Sequence, residues 1–152
     1  MAVDISLGTT IAVVAGEPAT YNEAGFDDLT YETIGEVTSI GEYGGSAQIN
    51  TNIPLATGIV NKRAGSYDYG DAAMTITRDS GDGGQTALKD GFDGTKKGDV
   101  HSFEVTFPDG SLQYFTGVIS SFTTNISDAN SWTQASCNIA VTNQVLDVAA
   151  TP

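Results

Sequence analysis

The sequence predicts a mainly β domain, a two-sheet β-sandwich or half-barrel with one short α-helix. Short runs of β-branched and aromatic residues recur along the 152 residues, and Gly, Asp, Asn or Pro separates most of them. Glycine is frequent, at 18 residues, while only 16% of residues are charged, a composition that favours turn-rich β structure. A single stretch near the middle of the chain has a helical pattern. Strands at this density are typical of a sandwich or barrel.

The clearest element is a β-hairpin within residues 101–126. Three apolar residues, Phe103, Val105 and Phe107, alternate with polar residues before the turn at 108–110. We expect this apolar face to pack inward, against Phe122 and the Cys137/Ile139/Val141 face of the last strand. The other predicted strands are residues 3–7, 10–14, 34–40, 59–62, 73–78 and 135–146.

The helical pattern begins at Asp82, which is predicted to be the N-cap. Gln85, three residues later, fits the reciprocal half of a capping box. Leu88 and Phe92 are four residues apart and share one face, and Gly94 suits the C-terminal cap. We expect this helix to cover one open end or face of a sheet.

The charge balance excludes several classes of partner. Six basic residues against 19 acidic ones give a net charge of −13, which repels nucleic acid and anionic membranes. Neither a signal peptide nor a membrane span is predicted, since the longest early apolar run is residues 11–15. We therefore expect folding in a cytoplasm. Cys137 is the single cysteine, so no internal disulfide can form, and its apolar neighbours predict a buried structural thiol.

No catalytic or metal-binding pattern emerges, so neither an enzyme nor a cofactor is expected. His101, the single histidine, is not accompanied by a nucleophile motif, and we expect it on the surface or at an interface. The calcium hypothesis rests on four aspartates in glycine-rich segments, but their spacing departs from the calcium-loop pattern. Turn and cap chemistry explains them better. These residues are Asp79, Asp82, Asp90 and Asp93.

The segment 44–65 is long for a small domain, and its apolar residues do not alternate. Loops of this length are uncommon in compact domains and are usually functional. Two interpretations are open: a loop that folds back on its own core, or an arm that packs on a neighbouring copy.

Four consecutive stretches carry a family resemblance. ATYNEAGFDDLTYETIGEVTSIGEYGG at 19–45 is followed by GSYDYGDAAMTIT, GQTALKDGFDG and VTFPDGSLQYFTGVISSF. In this order they resemble the tail tube proteins of long-tailed bacteriophages with non-contractile tails; gene transfer agent tails use similar subunits. The resemblance spans residues 19–146. It implies that residues 1–152 form one tube domain, without the immunoglobulin-like C-terminal domain that some members carry.

The resemblance implies a structural virion protein. Six subunits would form a ring, their strands would join edge to edge into one inner β-barrel, and the rings would stack into a tail tube for DNA ejection. The implied partners are other copies, a tape measure protein, tail tip or baseplate proteins, a tail terminator, and DNA that passes without specific binding. The alternative is a secreted β-sandwich module that binds a ligand such as a carbohydrate, with Trp132 and scattered tyrosines as its aromatic platform.

The resemblance and the strand alternation together imply two sets of site residues. The polar face of the hairpin and of an earlier strand would line the channel, with Glu36 and Glu104 making its wall negative. The expected channel residues are Glu36, Thr38, Ser102, Glu104, Thr106, Ser121, Thr123 and Asn125. The expected inter-subunit loop residues are Gln48, Asn50, Ile53, Pro54, Leu55, Ile59 and Val60.

Overall fold

The computed structural model of the protein describes residues 5–150. In this range the chain forms ten strands and two helices. They are β1 Thr10–Ala15, α1 Glu23–Asp27, β2 Glu32–Thr33, β3 Val37–Ser39, β4 Ser46–Asn52, β5 Asn61–Asp68, β6 Asp71–Thr77, α2 Gly83–Asp93, β7 Val100–Thr106, β8 Leu112–Asn125, β9 Gln134–Val141 and β10 Leu146–Val148. The predicted strand 3–7 begins outside the described residues, and residues 5–7 are not a strand.

One antiparallel sheet of eight strands makes up the body of the molecule. Its order is β2-β1-β7-β8-β9-β6-β3, with β10 paired to the start of β8. Inward side chains from both ends of this order, such as Ile11 of β1 and Ile76 of β6, belong to one buried cluster. The sheet therefore folds over on itself around a single core, and the barrel does not close. This architecture confirms the predicted sandwich or half-barrel.

The predicted hairpin is confirmed as β7 and β8. Phe103 and Val105 are buried in the core, whereas Phe107 packs against its margin and is half-buried. The register of β8 against β9 shifts between Ile119 and Ser121. This irregularity resets the alternation, so that Phe122 again points toward the core.

The cap of α2 agrees with the prediction in one half and differs in the other. The Asp82 carboxylate accepts a hydrogen bond from the Gln85 N–H at 2.9 Å, and another from the Gly35 N–H at 3.0 Å. The expected return bond from the Gln85 side chain to Asp82 is wrong. Gln85 is almost fully buried and donates instead to the carbonyls of Gly35 and Thr77, while it accepts from the Asp79 N–H. It thus pins the helix to the end of β6.

His101 is buried at 1% exposure, so the expectation of a surface position is wrong. Helix α2 crosses this part of the sheet at Gly91. A Cβ atom at Gly91 would lie 2.7 Å from both His101 Nε2 and Ile119 Cδ1. A glycine that weakens the helix by itself therefore allows the close packing that buries the histidine.

The short helix α1 was not predicted. Its N-cap Asn22 accepts a hydrogen bond from the Gly25 N–H at 2.8 Å. Phe26 is fully buried and stacks on Tyr114 of β8, with 5.0 Å between ring centroids. The segment that contains α1 thereby covers the outer side of β1, β7 and the first part of β8.

Two predicted strands are interrupted. Within the predicted strand 34–40 only β3 is extended, because Glu36 has a left-handed φ of 60° just before it. The predicted strand 135–146 divides into β9, which ends at Val141, and β10, which begins at Leu146.

The different burial of two phenylalanines predicts different stability losses. Phe103→Ala should lower the free energy of unfolding by about 3–5 kcal/mol, because it empties a fully buried site. Phe107→Ala should cost about 1–2 kcal/mol, because that side chain is only half-buried. Denaturant unfolding of both variants checks the order; equal losses would contradict this arrangement of the core.

Gly91→Ala should destabilise the protein although alanine favours helices. The propensity gain is about 1 kcal/mol, whereas overpacking a closed core costs about 1–3 kcal/mol, and His101 and Ile119 are both buried. Thr86→Ala, on the exposed side of α2, is the matched control and should change stability by less than about 0.5 kcal/mol. A higher melting temperature for Gly91→Ala would contradict the close approach.

Candidate functional site: the assembly surfaces

Residues 46–68 form an arm that stands apart from the body. Strands β4 and β5 pair with each other and, within residues 5–150, with no other strand. The segment expected to be a loop is thus mainly a hairpin, and the predicted strand 59–62 belongs to its tip and second strand. We call residues 53–60 the arm tip.

The arm exposes its apolar side chains. Leu55 is fully exposed, Ile53 is 58% exposed and Ile59 65% exposed. The interpretation that this segment folds back on its own core is therefore wrong for the subunit. Residues 46–67 contain no carboxylate and two cations, Lys62 and Arg63, in a chain whose net charge is −13. The remaining expected loop residues also lie on the arm; they are Gln48, Asn50, Pro54 and Val60.

The outer side of the half-sheet β8-β9-β6-β3 carries mainly uncharged polar side chains, with one carboxylate, Asp71, at the start of β6. Directly paired residues face the same side of a sheet, so Thr123, Ser136 and Thr75 form one row across three strands. Ser121 and Asn138 form the next row. We call this surface the polar face. It consists of Ser39, Thr75, Ser121, Thr123, Asn125, Ser136 and Asn138. Thr38 lies at its edge, in the irregularity between Val37 and Ser39, and its hydroxyl donates to the Thr75 carbonyl at 3.1 Å.

The three expected channel residues of β7 lie on the opposite outer side of the folded sheet, under or beside α1. Ser102 is fully buried and its hydroxyl donates to the Gly16 carbonyl at 2.7 Å, so its expected place on a channel wall is wrong for this subunit. Glu104 and Thr106 are half-buried. Burial, with the Glu104 carboxylate as the second cause, raises the pKa of Tyr114 to about 12.

Glu36 precedes β3 and is not part of a strand. It is exposed in the left-handed turn before β3, where its carbonyl accepts a hydrogen bond from the Thr77 N–H at 2.8 Å. Because Glu36 lies outside the strand, the strand alternation that predicted its channel position does not apply to it.

An open cleft of about 470 Å³ lies where the two ends of the folded sheet face each other without pairing. We call it the seam cleft. The Tyr43 hydroxyl donates to Gln113 Oε1 at 2.6 Å, and burial raises the pKa of Tyr43 to about 12. None of the lining residues is charged. They are Ile5, Ser6, Thr9, Val37, Thr38, Ser39, Ile40, Gly41, Tyr43, Val105 and Phe107.

Three of the four aspartates of the calcium hypothesis accept hydrogen bonds from backbone N–H groups. Besides the Asp82 cap, Asp79 accepts from the Gly81 N–H, and Asp90 accepts from the N–H and hydroxyl of Thr95. Asp93 forms an ion pair with Lys89 at 2.8 Å. The turn and cap interpretation is confirmed for Asp79, Asp82 and Asp90, whereas Asp93 pairs with a side chain on the same helix. In the described part of the chain, no three His, Cys, Asp or Glu residues are grouped to hold a metal ion.

Cys137 is buried in the core, as predicted. Burial raises the pKa of its thiol to about 12, so the reactive thiolate is scarce at neutral pH. No helix within residues 5–150 has the length and hydropathy needed to span a membrane.

A family profile decides what these surfaces belong to. The profile described as "Lambda phage tail tube protein, TTP" matches residues 16–147, most of the chain. The chain belongs to the lambda phage tail tube protein family. The chain therefore has the role of a structural tail tube component. Family membership favours this non-enzymatic role over an enzyme and over a secreted carbohydrate-binding module. No curated protein sequence matches this tail tube protein.

Solved structures share the fold at low sequence identity. A chain of the 6-fold symmetrised anti-feeding prophage (AFP) baseplate has a TM-score of 0.76 and 5% identity, over 100% of this chain and 99% of that one. The SPP1 tail tube has a TM-score of 0.60 and 14% identity, over 95% of this chain and 78% of that one. The sheath/tube terminator of an extracellular contractile injection system (PVC) has a TM-score of 0.64 and 13% identity, over 97% of this chain and 99% of that one. At these identities, all three structures show the fold alone.

Removing the arm tip should separate folding from assembly. Replacing residues 53–60 with a short Gly/Ser linker should leave the melting temperature nearly unchanged, because the removed side chains are exposed in the subunit. Electron microscopy should then show no tubes, since the tip lacks the apolar surface to bury on another copy. Normal tubes from this variant would contradict a role of the tip in assembly.

Proposed function

We propose that this tail tube protein assembles into six-membered rings, that the rings stack into a tube, and that the polar face lines the channel through which DNA is ejected. The polar face is the observation that carries the proposal. Its hydroxyl and amide groups hold water and offer no cation to a passing phosphate. Family membership and the 6-fold symmetry stated for the AFP baseplate support the ring.

The proposed channel wall differs from the acidic wall expected from the sequence. Thr38, Ser121, Thr123 and Asn125 are retained as channel residues, and Glu104 is not, because it lies on the opposite outer side of the sheet. DNA would then slide because the wall lacks cations, and not because the wall repels it strongly. The net charge of −13 would instead keep copies soluble and apart in the host cytoplasm until assembly begins.

The arm would join one ring to the next. Burial of an exposed side chain such as Leu55 on a neighbouring ring would contribute about 1.5–3 kcal/mol, and each ring would repeat the contact six times. Lys62 and Arg63 would add attraction to the acidic surfaces of the next ring, a term that salt weakens. The finished tube would enclose a tape measure protein and end at tail tip and terminator proteins.

A charge introduced on the polar face tests the channel. Ser136 is exposed in the middle of β9, so Ser136→Lys should leave the subunit folded and the tubes intact. Six copies per ring would put a ring of cations in the bore, and DNA ejection should slow, most strongly at low salt, where phosphate attraction is least screened.

The matched control is Thr30→Lys, which makes the same charge change at an exposed position beside α1. It should eject DNA at the wild-type rate. Ejection at the normal rate by Ser136→Lys tubes at every salt concentration would exclude the polar face from the channel.

A further inference from the structure

The half-sheet that carries the polar face has two unpaired edges in the described part of the chain. At one end, β3 pairs with β6 alone. At the other, pairing between β7 and β8 stops at Val118, and the rest of β8 pairs with β9 alone. Unpaired strand edges present N–H and C=O groups that another strand can satisfy.

The strand directions make these two edges compatible with each other. Each neighbouring pair in the series β8-β9-β6-β3 is antiparallel. With an even number of strands, β3 and β8 run in opposite directions. A second copy related by rotation about an axis along the strands therefore brings its β8 beside β3 in antiparallel orientation. Such a contact joins two different surfaces and closes a ring when it is repeated.

Apolar side chains that are exposed or only half-buried lie on the core side of both edges. Beside β3, the seam cleft exposes Val37, Ile40 and Phe107, which are only half-buried. At the other edge, Ile126 directly follows β8. The alternation from Phe122 puts Ile126 on the side of that strand that faces the core. Ile126 is 77% exposed in the subunit.

We propose that the seam cleft of one copy receives the core side of residues 122–126 from the next copy, with Ile126 as its main apolar contact. The proposal rests on the proposed function and names the two surfaces that close the ring. Charge favours this occupant, because neither the cleft lining nor residues 120–126 contain a charged side chain. Two chains of net charge −13 can meet there without placing like charges in contact.

The occupant cannot be the arm tip of the same chain. One wall of the cleft, from Val37 to Tyr43, precedes the arm base at Ser46 by only a few positions. A strand of seven residues such as β4 carries the tip about 24 Å away from that base. The arm tip is thus left for ring-to-ring contacts.

Cross-linking between single-cysteine variants tests the contact. Ser39 at the cleft margin pairs with Thr75 of the polar face, and Thr123 of the donor strand lies on that same side. Both residues are exposed. Cys137 can stay, because it is buried. With a short bismaleimide, Ser39→Cys and Thr123→Cys proteins should each remain single bands, and their mixture should give a dimer. The double variant should give a ladder of bands that ends at a closed ring.

A substitution in the donor strand tests the apolar contact. Ile126→Asp should leave the melting temperature of the subunit unchanged and raise the protein concentration needed for ring formation at least about tenfold. Leu55→Asp is the matched control. It carries the same type of change at the arm tip and should form rings that fail to stack.

The outcomes separate this inference from the proposed function. A ladder from the double variant, together with loss of rings for Ile126→Asp, supports the contact. Two results would overturn the contact and leave the tube function intact, provided that the wild-type chain forms tubes. One is that the mixed cysteine variants give no cross-linked dimer. The other is that Ile126→Asp forms rings at the same protein concentration as the wild-type chain. A wild-type chain that never forms rings, together with cysteine variants that never cross-link, overturns both.

Discussion

The length of β8 is the feature on which the rest of the structure depends. Its first part pairs with β7 and β10, and its second part pairs with β9. The register shift at residues 119–121 lets one continuous strand serve both halves of the folded sheet. Phe115 and Ile119 from this strand stand within the single core that both halves enclose. Without the shared strand, the two half-sheets would have no common backbone to hold them around one core.

The incomplete closure of the sheet explains how a stable subunit can be ready for assembly. The core is full, with no buried side-chain nitrogen or oxygen atom left without a hydrogen-bond partner in the described residues. The unsatisfied groups are concentrated at the margins: two strand edges, the seam cleft and the arm tip. A monomeric protein usually protects such edges, so their exposure here agrees with a family whose members build tubes.

Local patterns predicted the elements whose neighbours in the chain decide their structure. The β7–β8 hairpin and the Asp82 cap depend on alternation, a turn and a capping residue, and all are close in sequence. The β4–β5 hairpin of the arm was harder to predict. Among the described residues it packs on no other part of its own subunit, so its sequence lacks the apolar/polar alternation by which a strand is recognised. The positions of His101 and Gln85 were also missed. Their burial depends on α2 crossing the sheet, a contact between residues that the sequence alone does not bring together.

By itself, the sequence determined the fold class, the core face of the hairpin, the buried thiol, the absence of a catalytic histidine motif and the resemblance to tail tube proteins. Alternation has a period of two, so it divides each strand into two faces, but it does not say which outer face a neighbouring element covers. Only the tertiary structure decided that α1 covers the side of Ser102 and Glu104, while the side of Ser121 and Ser136 stays open. That choice depends on one long-range contact, the stacking of Phe26 on Tyr114, between residues 88 positions apart.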